Sequence, residues 1–368
     1  MTETIIPDEW DAPYFIGTKL SKDYCFPWCN QQKNSDAIIK FESRKLAEQA
    51  GYTSCKTCCP HLPYGAWKDD GNTLILIAPK EFSFKENVRY LSRSKNECMF
   101  RIEDNKIYRV VPIQGVNPLI ETSINTAGNI QIRFLRDAIP SQKWIRAIVA
   151  KYVWEWFDLD INLIPFYNLA KYDPLLQKPI KDYYGLRNMG IPDLFEALCW
   201  GVLGQQINLA FAYTLKRRLV EQFGECIEWN GRKHWLFPSP EVIANIDVED
   251  LAKLKMTTKK CEYLIGIAQL IAEEKLSKES LLQIKDFKQA EKLLTNIRGV
   301  GPWTANYVLM RCLRFPSAFP IDDVGLHNAI KFLTGAENKP TKNEIKEFAS
   351  RWTNWESYAT FYLWRVLY

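Results

Sequence analysis

One stretch constrains this chain more than any other: Ile-Arg-Gly-Val-Gly-Pro-Trp-Thr-Ala-Asn-Tyr at 297–307, followed by Phe-Pro-Ile-Asp-Asp at 319–323. Apolar residues at helical spacing precede it (Ala290, Leu293, Leu294) and resume from Thr304 to Leu313, so Gly299-Val300-Gly301 reads as a tight turn between two short helices. Glycines let a backbone turn sharply and let a ligand approach it closely. Amides left free in the turn and at the start of the second helix, with the Thr304 hydroxyl beside them, suit a phosphate oxygen. A plain helical corner uses the same residues, so the downstream acids matter. Asp322 and Asp323 are more than a helix cap needs, which lets one cap the helix from Val324 to Leu333 while the other does chemistry.

The rest of the chain divides by pattern. With 368 residues it can bury two or three cores. Residues 1–63 contain Cys25-Phe-Pro-Trp-Cys29 and Cys55-Lys-Thr-Cys58, with twenty-five residues between the pairs. Two close pairs let the thiolates of Cys25, Cys29, Cys55 and Cys58 converge on one tetrahedral zinc, which supplies stability that a short segment cannot obtain from burial. Cys59 and His61 are read as bystanders. A polar, Pro- and Gly-containing linker follows from His61 to Gly71. Residues 72–160 are mostly strand-like, at Thr73 to Ala78, Met99 to Ile102, Lys106 to Val111 and Asn129 to Phe134, with helices at Phe84 to Ser92 and Ile139 to Trp156. Residues 161–368 read as all-α, a succession of short helices. The expected class is multidomain α+β: a small zinc module, an α/β domain built on an antiparallel sheet, and an all-α domain.

No N-terminal run resembles a signal peptide and no segment is apolar enough to span a membrane, so a cytoplasmic, bacterial protein, acting as a monomer, is expected. In a reducing compartment clustered cysteines point to metal. A formal charge of +5 permits a nucleic-acid partner, and thirteen Trp residues suit either a core or stacking on flat groups.

The hairpin motif, the Asp-Asp pair and the run Arg351-Trp352, Trp355 and Ser357 to Trp364 resemble the helix-hairpin-helix DNA glycosylases, specifically the AlkA-type 3-methyladenine glycosylases. The resemblance implies double-stranded DNA carrying alkylated bases as partner, hydrolysis of the N-glycosidic bond with 3-methyladenine as the preferred lesion and 7-methylguanine as a second, and no cofactor for that reaction. It assigns Asp323 as the catalytic carboxylate and Trp303, Tyr307 and Trp364 as base-stacking faces. Gly299, Gly301 and Thr304 would contact DNA, and Gln205 or Gln206, in Gly204-Gln-Gln-Ile-Asn208, would fill the gap left by a flipped base. Relatives that also cut the DNA backbone carry a lysine where this chain has Trp303, so a monofunctional enzyme without lyase activity is expected.

The first 63 residues resemble the zinc domain of Ada-type alkylation-response proteins, through Gly17 to Cys25 and Ala50 to Pro60. In that family the first cysteine also accepts a methyl group from DNA, a role that would fall to Cys25. Basic residues usual after it are replaced here by Phe26 and Trp28, which favours a structural or DNA-contacting module. A non-catalytic zinc protein that binds damaged DNA is the alternative from a different class.

Overall fold

Alternation of buried and exposed side chains sets the strands of this protein, and the computed structural model describes residues 14–18, 22–25, 38–55, 66–113, 115–135, 140–284 and 286–367. The chain divides into two compact units, one of residues 1–78 with 111–154 and one of 79–110 with 155–368.

In the first unit, Phe15–Thr18 pairs antiparallel with both Ile38–Phe41 and Asp23–Cys25, and Asp23–Cys25 pairs parallel with Thr53–Ser54. Phe15, Tyr24, Phe41 and Tyr52 fill the space beside this small sheet, with Phe15 edge-on to Tyr24 at 5.6 Å. The parallel register Asp23↔Thr53, Tyr24↔Ser54 brings Cys25 and Cys55 into step just beyond it, and the Cys55 amide donates to the Tyr24 carbonyl at 2.9 Å. Both cysteines are buried, at 1% and 5% exposure. Cys29, Cys58, Cys59 and His61 lie outside the described residues.

The same unit contains a second antiparallel set, Trp67–Asp69, Thr73–Leu76, Ile130–Phe134 and Leu119–Ile124, in that spatial order. Leu74, Leu76, Leu119, Ile120, Ile130 and Ile132 are fully buried on it. The helix Lys143–Trp156 is tied to this sheet through Arg146, which donates to Asp69 at 2.6 Å and lies 4.9 Å from the Phe134 ring. Two strands depart from the sequence expectation. Trp67–Asp69 falls in the stretch read as a linker, and Leu119–Ile124 was not anticipated. The first is only three residues long and is held by its hairpin pairing with Thr73–Leu76 across the turn at Asp70-Gly71, where Gly71 has φ +85°.

In the second unit, helix α1 (Phe84–Leu91) precedes the hairpin Phe100–Glu103 and Lys106–Val110. The helices that matter for the site are α2 (Leu194–Leu203), α3 (Leu209–Phe223), α4 (Thr258–Ala272), α5 (Phe287–Thr295), α6 (Pro302–Arg311), α7 (Val324–Thr334) and α8 (Glu356–Trp364). Their N-caps follow the sequence: Asp193, Asn208, Thr257 and Asp286 each accept the amide three residues on. The region read as all-α also holds a short hairpin, Cys226–Trp229 with Arg232–Trp235. Its turn residues Asn230 and Gly231 have φ of +48° and +67°, and Trp229 stacks on Tyr108 at 6.1 Å.

Charge is buried within this unit as well. Glu196 on α2 accepts from Lys216 on α3 at 2.8 Å and from Arg109 at 3.3 Å. Burial pushes its carboxyl up, but those two cations outweigh that and hold it below the ordinary value. No helix among the described residues is long and apolar enough to cross a membrane.

Candidate active site

Three elements meet at Asp323. It is the N-cap of α7, where its Oδ1 accepts the Leu326 amide at 2.7 Å. The same oxygen accepts the indole N–H of Trp364 on α8 at 2.7 Å, and Oδ2 accepts the indole N–H of Trp303 on α6 at 2.9 Å. The sequence expectation that Asp322 caps the helix is corrected here. Asp322 is exposed and pairs with Lys342 at 2.5 Å. A cap must sit immediately before the helix to reach the amide three residues ahead, and only Asp323 does so. One carboxylate thus caps the helix and still presents an oxygen edge to a cleft of about 710 Å³, lined also by Trp303, Tyr307, Trp364, Gln206 and Asn328.

The ring set anticipated from sequence assembles on that cleft. Trp303 and Tyr307, one helical turn apart on α6, stack at 5.6 Å with an interplanar angle of 28°, and Tyr307 lies 6.2 Å from Trp364. Trp303 is half-buried, whereas Tyr307 and Trp364 are 4% and 9% exposed. Burial pushes the Tyr307 phenol up to about 12, against the opposing effect of Arg311, whose guanidinium donates to its oxygen at 3.0 Å. The phenol is neutral throughout the physiological range.

Asn306, between two of these rings, has a positioning role that the sequence did not reveal. Its Nδ2 donates to Glu291 at 2.6 Å and to the Pro302 carbonyl at 3.0 Å, and its Oδ1 accepts the Phe319 amide at 2.9 Å. One side chain therefore ties α5 and α6 to the segment that delivers Asp323.

The hairpin α5–turn–α6 places its two glycines differently. Gly299 has φ +91°, and a Cβ there would fall 2.2 Å from the Tyr263 ring of α4, so this fold admits only glycine. Gly301 has φ −83°, and a Cβ would meet nothing within 4 Å. It is exposed, at the end where α6 leaves its first amides unpaired.

One residue expected at a DNA surface, Thr304, sits in the interior. Thr304 is 1% exposed, its methyl lies against Gly201 of α2, and its hydroxyl accepts from Gln205 Nε2 at 3.1 Å. Gln205 also donates to the Gly299 carbonyl at 2.8 Å. Both brace the hairpin, Thr304 from the interior, where the close α2–α6 approach turns that face of α6 inward, and Gln205 half-buried on the wall of the cleft. Gln206, by contrast, is exposed on the cleft rim, and its φ of +56° is a conformation that non-glycine residues rarely hold without cause. Tyr90, Arg93 and Trp200 also line the cleft and were not found from sequence, since no motif or spacing distinguishes them from core residues.

Comparison with known proteins gives the family and the fold. Residues 199–354 match the HhH-GPD superfamily base excision DNA repair protein model, 74–198 match the 8-oxoguanine DNA glycosylase N-terminal domain, and 8–61 match the metal-binding domain of Ada. The chain is 56% identical to a DNA-3-methyladenine glycosylase of Bacillus subtilis (strain 168) over 302 residues, which is 82% of this chain and 99% of the relative. It is 32% identical to DNA-3-methyladenine glycosylase 2 of Escherichia coli (strain K12), over 49% of this chain and 60% of that one. A solved 3-methyladenine DNA-glycosylase from Archaeoglobus fulgidus shares the fold, with a TM-score of 0.68 at 23% identity over 78% of this chain and 97% of that one. The chain belongs to the DNA-3-methyladenine glycosylases of the HhH-GPD superfamily.

Proposed function

We propose that the cleft at Asp323 binds an alkylated purine turned out of double-stranded DNA and hydrolyses its N-glycosidic bond. The observation that carries this reading is the single carboxylate held by two indole N–H groups and a helix-start amide beside stacked rings. Alkylation at a ring nitrogen makes the base cationic, so it leaves readily as a neutral species. The enzyme has to supply extraction of the base and stabilisation of the positive sugar that develops. Trp303, Tyr307 and Trp364 supply faces for the base, an attraction worth about 1–2 kcal/mol per ring when desolvated. The Asp323 anion offsets charge at the sugar and orients the water whose oxygen bonds to C1′ as the C1′–N pair departs with the base, and the carboxylate takes the proton that this water loses. Its three hydrogen bonds keep it fixed during that step.

Gly301 and the first amides of α6 suit a DNA phosphate, because nothing among the described residues lies within 4 Å of a Cβ placed there. Gln206 suits the gap in the duplex, and the adjoining Gly204 and Gln205 anchor it. With tryptophan at 303, no amine stands at that position to form a Schiff base with the sugar, so the product is an abasic site in an unbroken strand. Incubation with methylated duplex should release free 3-methyladenine, with strand cleavage appearing only after alkali; cleavage without alkali would remove the monofunctional assignment. Gln206→Ala should slow release by roughly tenfold, since extrusion costs a few kcal/mol that the side chain partly offsets. An unchanged single-turnover rate would exclude that role.

Cys25, Cys29, Cys55 and Cys58 are proposed to hold one structural zinc, supported by the paired strands that bring Cys25 beside Cys55. The metal would fix the fold of the N-terminal module and keep the sulfurs as thiolates. Purified protein should contain about one zinc per chain, and Cys55→Ser should lose it while base release persists. Full zinc content in that variant would sink the ligand set.

A further inference from the structure

The side chain of Asp323 is anchored, but the backbone that delivers it has to be fixed as well. A chain entering a helix is commonly held by an apolar contact between the residue before the N-cap and the fourth helical residue. For α7 those positions are Asp322 and His327, and Asp322 is exposed and paired with Lys342. That pair offers no apolar contact. A hydrogen bond takes its place, with His327 Nε2 lying 2.7 Å from the Ile321 carbonyl oxygen. A carbonyl oxygen only accepts, so Nε2 carries the hydrogen and donates. The His327 amide also donates to the Asp323 carbonyl at 3.1 Å. One residue therefore grips the incoming chain on both sides of Asp322.

The remainder of this segment is tied by short bonds of its own. The Ile321 amide donates to the Phe319 carbonyl at 2.8 Å and the Asp323 amide to the Pro320 carbonyl at 2.9 Å, two tight turns in succession. Asn306 Oδ1 accepts the Phe319 amide at 2.9 Å. Asn306 on α6 thus fixes where the segment begins, and His327 on α7 fixes where it ends. The indole N–H groups of Trp303 and Trp364 set where the carboxylate has to arrive. A displacement of about 1 Å would loosen those bonds and move the anion off the sugar, and an error of that size can cost about 10²-fold in rate. The His327 ring is half-buried and is not among the residues lining the cleft, so it reaches the reaction through Asp323 and not by touching the base.

We propose that His327 is a positioning residue for base release, its Nε2–H bond to the Ile321 carbonyl holding the Asp323 carboxylate in register with the two indoles. The inference rests on reading Asp323 as the acting carboxylate. The test measures single-turnover release of 3-methyladenine from methylated duplex by the full chain, with DNA affinity and the active fraction taken from a DNA titration of the same sample. His327→Phe keeps a flat ring without the donor and should lower the rate by about 10–100-fold while affinity stays within about threefold. His327→Gln places an N–H where Nε2 now stands and should return the rate to within about threefold of the parent. In an Asp323→Asn background, His327→Phe should change the residual rate by less than about twofold, since a residue that acts only through the carboxylate has nothing left to act on. A parent-like rate in His327→Phe, a Gln variant as slow as the Phe variant, or a further loss of about tenfold in the double variant would overturn the assignment. A parent-like rate in Asp323→Asn alone would instead discard the reading of Asp323 on which it rests.

Discussion

Asp323→Asn is expected to lower base release from methylated DNA by roughly 10²–10⁴-fold while DNA affinity stays within a few fold. The substitution removes the anion that faces the developing positive sugar. It also alters the hydrogen bonds that hold the group. Oδ1 accepts two donors, the Leu326 amide and the Trp364 indole, so the amide oxygen of an asparagine will stay on that side. The new NH₂ then faces the Trp303 indole N–H, donor against donor, at a place where Oδ2 now accepts at 2.9 Å. Trp303 should therefore turn away, and stability should fall by about 1–2 kcal/mol, the cost of one mismatched pair. Single-turnover release, a DNA-binding titration and thermal unfolding on the same sample separate these effects. A variant that releases base at the parent rate removes the carboxylate from the mechanism.

Gly299→Ala should cost roughly 2–4 kcal/mol of stability, through the left-handed backbone and the collision with Tyr263 together. Its neighbour provides the contrast. Gly301→Ala has ordinary φ and open space around the new methyl, so stability should change by less than about 0.5 kcal/mol. If a phosphate seats against Gly301, DNA affinity should nonetheless drop by about tenfold, because the methyl occupies the approach of the ligand and nothing else. Denaturant unfolding and a DNA titration on both variants decide the matter. Unaltered affinity in Gly301→Ala would place the DNA backbone elsewhere.

Much of the site was legible because its residues are close in sequence and each answers to local rules. The Gly-Val-Gly turn, the helix starting at Pro302 and the ring pair Trp303 and Tyr307 all lie within nine residues, where helical periodicity and turn chemistry suffice. The hairpin at Asn230-Gly231 carried an equally local signal in its turn residues, and the helical surroundings obscured it. The strand Trp67–Asp69 likewise had a local signal in the turn Asp70-Gly71 that joins it to a partner five to nine residues away, and the polar residues around that turn made the stretch read as a linker.

What the sequence determined by itself was the inventory: a hairpin with its glycines, an acidic pair before a helix, aromatic rings at helical spacing, and cysteines in two close pairs. Tertiary structure decided which member of each set does the work. It sealed Thr304 against Gly201, tied the half-buried Gln205 to the Gly299 carbonyl, left Gln206 on the rim, and made Asp323 both cap and cleft carboxylate. It also brought Arg93 to the rings from more than two hundred residues away. Periodicity along a chain says which side of a helix is apolar. Which helix lies against that side, and which polar group is thereby sealed in or left facing a ligand, is settled only by packing.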